Sequence, residues 1–327
     1  MILAGDVGGT KCNLALFEAR AGALRRMAQR RFESKNYSHF EEIVTEFVRQ
    51  IENSVEGGEI TAAGFGVAGP VIDRSVRATN LPWLVDAGSL ERLLGSAGVV
   101  LLNDLEATAH SLALLRPSEL CPLNEGVSAP QGNKALLAAG TGLGEAILFW
   151  DGERHLVAAT EGGHADFAPR NDQEIELLRS LMKRHAHVSF ELILSGRGFR
   201  SIHEFLDPAV RHPSFDTPDA DPAPEITHLA LAGSCPVCVR TLDMWTAIYG
   251  AEAGNLALKS LARGGVYVAG GIAVKILPKL KDGTFLRAFC DKGRFGILLG
   301  QIPIYVVLNE DAPLLGAAAH AAAAIGV

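Results

Sequence analysis

One pattern occurs twice in this chain, and it narrows the possible folds more than any other feature. Ile2-Leu3-Ala4-Gly5-Asp6-Val7 is a largely apolar run that enters Gly8-Gly9-Thr10, after which Cys12, Leu14 and Leu16 alternate with other residues. Alternation is the period of a strand, not of a helix, so residues 2–17 predict a β-hairpin with a glycine-rich tip. Residues 135–149 repeat the pattern, with Ala135–Ala139, the turn Gly140-Thr141-Gly142-Leu143-Gly144, and a second apolar segment through Phe149. Two copies of one supersecondary unit predict a duplicated α/β fold with two facing lobes. The length of 327 residues agrees, because single hydrophobic cores stop growing near that size. Paired glycine hairpins would make a phosphate clamp, since turn N–H groups form anion-binding concavities.

Two rival nucleotide motifs are excluded. A dinucleotide fingerprint opens a helix after its glycines, and here a strand follows; a GxxxxGK[ST] loop does not occur. Asp6, beside the first turn, suits a Mg²⁺ ion or its water shell. Ala62–Val67 reads as a strand ending in Ala68-Gly69-Pro70. Residues 99–102 read as a strand that ends at Asn103-Asp104 and enters a helix from Leu105 to about Leu115. Asn and Asp are both favoured helix N-caps, so that pair has a purely structural reading as well. Glu161-Gly162-Gly163-His164 gathers polar groups on backbone that a ligand can approach, and such groups suit sugar hydroxyls; a plain acidic turn is the alternative. Residues 174–187 read as helical. Residues 216–225, with three prolines and three aspartates, read as a surface loop. Residues 226–263 read as a long helical region broken near Cys235-Pro236 and near Gly250. Strand, Gly270-Gly271 and helix follow, then a last strand over 302–308 and a last helix over 312–324.

The net charge of −7 and the absence of a basic stripe argue against nucleic acid as a partner. No apolar run reaches membrane length; the Ala-rich stretch 312–327 is short and contains Pro313 and His320. No secretory signal is recognisable, and an odd number of cysteines, five, fits a reducing cytosol, so a cytoplasmic protein is expected. Cys235 and Cys238 form a lone CxxC. A second cysteine pair at metal-site spacing is missing, which favours two buried or idle thiols over a zinc site.

In order, Gly5-Asp6-Val7-Gly8-Gly9-Thr10, Asn103-Asp104, Gly140–Gly144, Glu161–Pro169, Leu194-Ser195-Gly196, Val268–Ile272, Asp291–Phe295 and Pro313–Ala318 resemble the motif series of the bacterial glucokinase family. That family belongs to the hexokinase, actin and heat-shock chaperone ATPase superfamily, and the resemblance covers nearly the whole chain. It implies an α/β, actin-like and ribonuclease H-like fold. A small domain over 1–113 would be completed by a C-terminal helix at 310–327, and a large domain would span 114–309. It implies an ATP-dependent hexose kinase feeding glycolysis, with ATP, Mg²⁺ and D-glucose as ligands. A kinase of another hexose, mannose or an N-acetylhexosamine, and a non-catalytic sugar sensor are the alternatives. By position, Gly5, Asp6, Val7, Gly8, Gly9 and Thr10 with Gly140, Thr141 and Gly142 would hold the phosphates. Gly270 and Gly271 would border the adenosine, and Asp6 would hold Mg²⁺ through water. Asp104 would be the base, and Asn103, Asp104, Glu161, His164 and Glu191 would bind sugar, with the lobes closing on it. The chain departs from the family at Leu105-Glu106, at Arg197, and at Glu145, which is expected to add charge near the phosphates. The cysteine-rich zinc motif of the related repressor-type kinases is missing, so no structural zinc is expected. A homodimer stays compatible with the sequence.

Overall fold

In the computed structural model, which describes all residues except 21–22, 52–58, 79–80, 96–97, 216–220 and 327, each glycine hairpin begins a sheet of the same plan. The first sheet opens with β1 (Ile2–Val7), β2 (Lys11–Arg20) and β3 (Ala23–Glu33), an antiparallel meander. Helix α1 (Phe40–Ile51) leads to β4 (Ala62–Val67), parallel to β1. The short strands β5 (Val71–Ile72), β6 (Ser75–Arg77) and β7 (Leu84–Asp86) form a separate small sheet before helix α2 (Ala87–Leu94). Strand β8 (Val99–Asn103) pairs parallel to β4 and runs into α3 (Asp104–Ser111).

The second sheet repeats this. After β9 (Leu120–Asn124), the meander β10 (Lys134–Ala139), β11 (Leu143–Trp150) and β12 (His155–Thr160) is antiparallel. Among the described residues the α-helices that follow are α4 (Asp172–Met182), α5 (Phe190–Ile193), α6 (Gly196–Leu206), α7 (Ala223–Leu231) and α8 (Pro236–Ser260). Strand β13 (Gly265–Ala269) lies parallel to β10. Helices α9 (Gly271–Lys275), α10 (Leu277–Leu280), α11 (Thr284–Cys290) and α12 (Gly296–Gly300) precede β14 (Ile304–Val307), parallel to β13. The orders are β3-β2-β1-β4-β8 and β12-β11-β10-β13-β14-β9. Apart from the added edge strand β9, the second is the first over again. Helix α13 (Ala312–Ala324) belongs to the first sheet. The chain thus divides into residues 1–117 with 309–327, and residues 118–308.

Strand alternation decides which side chains reach which face of the first sheet. Leu3, Val7, Leu14 and Phe65 join the core that α1 covers through Phe40, Ile43, Val44, Phe47 and Ile51. Their spacing is that of one helical face. Ile2, Ala4, Ala15 and Phe17 face the other way and meet Leu314, Ala317, Ala318 and Ala321 of α13. The alanine content of α13 has a direct cause there. It lies so close to α3 that a side chain at Gly316 would sit 1.8 Å from the Ala107 carbonyl.

Helix α8 differs from the sequence expectation. It starts at Pro236, as the break near Cys235 predicted, but passes through Gly250 without interruption. Gly250 serves packing instead of breaking the helix, because a Cβ there would fall 2.2 Å from the Phe285 carbonyl of α11. Helix α3 ends at Ser111, short of Leu115, where the Leu112 N–H turns back to the Ala109 carbonyl at 3.2 Å. The helix expected over 174–187 is α4, which starts at Asp172 and ends at Met182, short of 187; its start is set by Asn171, whose side chain accepts from the Glu174 N–H. Of the proline-rich stretch 216–225, residues 216–220 lie outside the described residues. Its end already forms the first turn of α7, where proline fits because that turn needs no N–H donor.

Candidate active site

The carboxyl ends of parallel strands are where open α/β sheets present ligand groups. In the first sheet β1, β4 and β8 end together, at Val7, Val67 and Asn103. Gly8, Gly9 and Thr10 form the turn after β1, with the Gly8 N–H donating to the Lys11 carbonyl at 3.1 Å. Buried Ser34, just past β3, holds this turn from behind. Its hydroxyl donates to the Gly8 carbonyl at 2.9 Å and its N–H to the Thr10 carbonyl at 3.0 Å. Nothing local in the sequence marks Ser34 for this task. Gly5 and Val7 lie buried inside β1. A side chain at Gly5 would strike Phe65 at 2.5 Å, so packing accounts for that glycine.

Asp6 projects beside the turn and accepts from the Asn13 amide at 3.2 Å. Arg31 in turn donates to Asn13 at 2.9 Å. Burial holds the Asp6 carboxyl above its ordinary value; the Asn13 hydrogen bond and Arg31 work against that, and the charge of Asp311 adds to it. The Asp6 carboxylate is a hard oxygen donor of the type a divalent cation takes, whereas both Asp311 oxygens are held by Arg26 and Gln29.

Asn103 and Asp104 sit at the junction of β8 and α3. The N-cap is Asn103, whose side-chain Oδ1 accepts from the Leu105 N–H at 2.9 Å. The Glu106 side chain accepts from the Asn103 N–H at 3.3 Å, completing a capping box. The Asn103 amide also donates to the Gly69 carbonyl at 3.3 Å, tying the end of β8 to the end of β4. Asp104 is the first helical residue. It is half-buried, and one oxygen accepts from the same Leu105 N–H at 2.9 Å.

In the second sheet β10 and β13 end side by side, Ala138 against Ala269. Gly140, Thr141 and Gly142 form the turn after β10, and Gly270-Gly271 follow β13 and begin α9. Gly270 has φ +88°, and a Cβ there would meet the Ala139 carbonyl at 2.6 Å, so only glycine fits. Gly271 faces open space. The Gly196 N–H, at the start of α6, donates to the Gly140 carbonyl at 2.9 Å.

Glu191 on α5 accepts from the Leu143 N–H at 3.0 Å and lies 3.9 Å from His164 Nδ1. The second glycine turn, Glu191 and His164 therefore meet in one place. Glu161 is exposed and starts the short turn that ends at His164, whose N–H returns to the Glu161 carbonyl at 3.0 Å. The glycines between them are not an open approach for a ligand, as the sequence suggested. A side chain at Gly163 would lie 2.0 Å from the Leu143 carbonyl, and one at Gly162 would lie 2.2 Å from Glu145. They let the turn lie flat on β11.

Glu145 likewise departs from expectation. It adds no charge near the phosphates, because its side chain is buried against Gly162 and opposite Glu252 of α8. Burial first, then the Glu252 charge, push its carboxyl up to about 8, with Lys259 opposing.

A duplicated sheet with a glycine turn at the carboxyl edge of each copy, a carboxylate heading α3 and a glutamate–histidine pair at the second turn define a sugar phosphotransferase of the actin-like ATPase fold. The family model described as glucokinase matches residues 3–324, and the chain belongs to the glucokinase family. A glucokinase from Synechocystis sp. is 39% identical over 346 residues, covering 98% of this chain and 97% of that protein. The crystal structure of a glucokinase from an Antarctic psychrotroph superimposes with a TM-score of 0.84 at 29% identity, covering 98% of each chain. A ROK family glucokinase from Streptomyces griseus, solved in complex with glucose and AMPPNP, shares the fold at 22% identity and a TM-score of 0.67, again over 98% of each chain. Among the described residues no helix is long and apolar enough to cross a membrane.

Proposed function

We propose that this chain is a cytoplasmic glucokinase that transfers the γ-phosphate of ATP to the C6 hydroxyl of D-glucose, releasing ADP and glucose 6-phosphate for glycolysis. The two units 1–117 with 309–327 and 118–308 are its small and large domains. Asp104 takes the hydroxyl proton as the oxygen bonds to phosphorus and the bond to ADP breaks. Asn103, Glu161, His164 and Glu191 bind and orient the sugar through directed hydrogen bonds. The N–H groups of Gly9, Thr10, Thr141 and Gly142 hold phosphate oxygens, those of Gly8 and Gly140 close the two turns on the Lys11 and Gly142 carbonyls, and Gly270-Gly271 leave room for the adenosine. Mg²⁺ would be held near Asp6, whose second carboxylate oxygen has no hydrogen bond among the described residues; when bound it would neutralise charge on the transferring phosphate.

The observation that carries the role of Asp104 is the division of labour at the head of α3. Asn103 supplies the capping box, which leaves the cap reading to Asn103 and the acid–base reading to Asp104. A coupled ATP assay over a panel of hexoses, run on the native protein and on Asp104→Asn, tests the proposal. Glucose is expected to be the preferred acceptor. Asp104→Asn is expected to melt within a few degrees of the native protein, still bind glucose, and turn over about 10²–10⁴-fold more slowly. A variant that phosphorylates glucose at close to the native rate would remove Asp104 from the chemistry, and preference for mannose or an N-acetylhexosamine would replace the substrate.

A further inference from the structure

The CxxC of Cys235 and Cys238 does have a second pair of donors, and that pair is made of histidines. His203 comes from α6, His212 from the segment that follows it, and Cys235 and Cys238 from the cap and first turn of α8. One donor atom from each of the four lies within 4.8 Å of every other. Cys238 Sγ is 3.2 Å and Cys235 Sγ 3.7 Å from His212 Nε2. The cluster is interior: His203, Cys235 and Cys238 are buried and His212 is half-buried. Phe215 stands edge-on to both imidazoles, at 4.9 and 5.6 Å between ring centroids.

A second observation points to a missing ligand. Both ring nitrogens of His203 are buried with no hydrogen-bond partner. A neutral imidazole has one donor and one acceptor, and leaving a buried polar atom unsatisfied costs its full desolvation. A structure rarely bears that cost at both nitrogens of one side chain unless an ion or water belongs there. The Cys238 N–H meanwhile donates to Cys235 Sγ at 3.4 Å, which fixes that sulfur toward the cluster.

We propose that His203, His212, Cys235 and Cys238 bind one structural Zn²⁺ ion. Two imidazoles and two thiolates are a four-coordinate zinc donor set, and soft sulfur excludes the Mg²⁺ that the phosphate chemistry uses. In a tetrahedron with zinc–sulfur bonds near ~2.3 Å and zinc–nitrogen bonds near ~2.0 Å, donors stand roughly 3.3–3.8 Å apart. The cluster therefore closes on the ion with donor shifts of about an ångström or less. Binding converts two thiols to thiolates and releases two protons, so Zn²⁺ and its ligands sum to no net charge at a buried position. The fourfold closure joins α6 to the start of α8. Because α6 also starts on the Gly140 turn, the ion steadies the helix against which that turn rests. The site is independent of the sugar and phosphate groups proposed above.

Elemental analysis of the purified native protein tests this, together with exchange of the metal for Co²⁺. One zinc per chain is expected. Cobalt should give the visible bands of a tetrahedral site and near-ultraviolet thiolate charge-transfer absorption. Removing zinc with a strong chelator should lower the melting temperature by roughly 10 °C, reversed by Zn²⁺ and not by Mg²⁺. Cys238→Ser and the half-buried His212→Gln should each lose the metal, and Cys290→Ser, away from the cluster, should keep it. A native protein that holds well under one zinc per chain and melts unchanged when Zn²⁺ is added would overturn the proposal. So would metal retained equally by both ligand variants, or a Cys235–Cys238 disulfide in the protein as isolated.

Discussion

At the scale of single residues, neighbours of the same chemical type take different tasks because of small differences in position. Asn103 and Asp104 could both cap a helix, and one step along the chain makes Asn103 the cap and Asp104 the first helical residue. Glu145 and Glu191 are both carboxylates near the second glycine turn. Glu191 is half-buried and receives a backbone N–H, whereas Glu145 is buried opposite Glu252. The unfolded chain would titrate Glu145 near its ordinary carboxyl range, and the folded chain holds it up to about 8. The native state therefore binds the extra proton between these limits. Stability is fully present below the lower limit and falls as pH rises toward 8. Glu145→Gln keeps the shape without the charge, so it should raise the melting temperature at pH 8 by a few degrees and have little effect at pH 5. Thermal melts at both pH values check this, and an equal shift at both would assign the effect to something other than ionisation. The sequence places Glu145 on the same face of a strand as Leu143 and Ile147, which hints at burial. Its partner Glu252 is legible only in three dimensions.

At the scale of elements, the parts readable from sequence are those punctuated by glycine or made of unbroken apolar runs. Both hairpins, β4, β13 and α13 fall within three residues of expectation, the largest gap being β2, which runs on to Arg20. Strand β3 is different: of Ala23–Glu33 only Phe32 is buried, so it carries no apolar alternation and is held by pairing with β2. Glycines were legible as sites of close approach, but what approaches them was not. Gly162 and Gly163 meet β11, and Gly250 meets α11; those partners are set by packing between distant segments. The pair α3 and α13 gives a second pH dependence, of opposite sign. His110 and His320 lie with ring centroids 4.3 Å apart and ring planes tilted by 42°. Burial, then the neighbouring His320, lower His110 to about 4, and burial lowers His320. The unfolded chain binds protons here that the folded one refuses, so stability is present above the ordinary histidine range and is lost as pH falls toward 4. Urea unfolding at pH 7 and pH 5 should show a smaller acid loss for His110→Gln than for the native chain. Because Glu145 acts in the opposite direction over part of this range, the difference between variants is the quantity to read. An unchanged acid loss would clear the histidine pair.

At the scale of the whole molecule, the two sheets repeat one plan but are assembled differently. Residues 118–308 form an uninterrupted stretch, whereas the first unit needs both 1–117 and 309–327. Removing 309–327 would uncover Ile2, Ala4, Ala15 and Phe17, which α13 buries. A chain ending at 308 is therefore expected to lose hydrogen-exchange protection across β1, β2 and β4, to bind a hydrophobic dye, and to keep native protection across β10, β11 and β13. Protection of β1 equal to that in the full chain would show that α13 is dispensable to its sheet.

The split has a further consequence during synthesis on the ribosome. The first sheet is made before the middle unit, but the helix that covers one of its faces is translated after that unit, from Ala312 onward. At the usual pace of translation, roughly 10–40 s separate completion of the opening segment from arrival of that helix. The middle unit has all of its own residues by then and can fold first. The first sheet waits with an apolar face open to water, a surface on which a holding chaperone would act, until residues 312–324 leave the tunnel and close it.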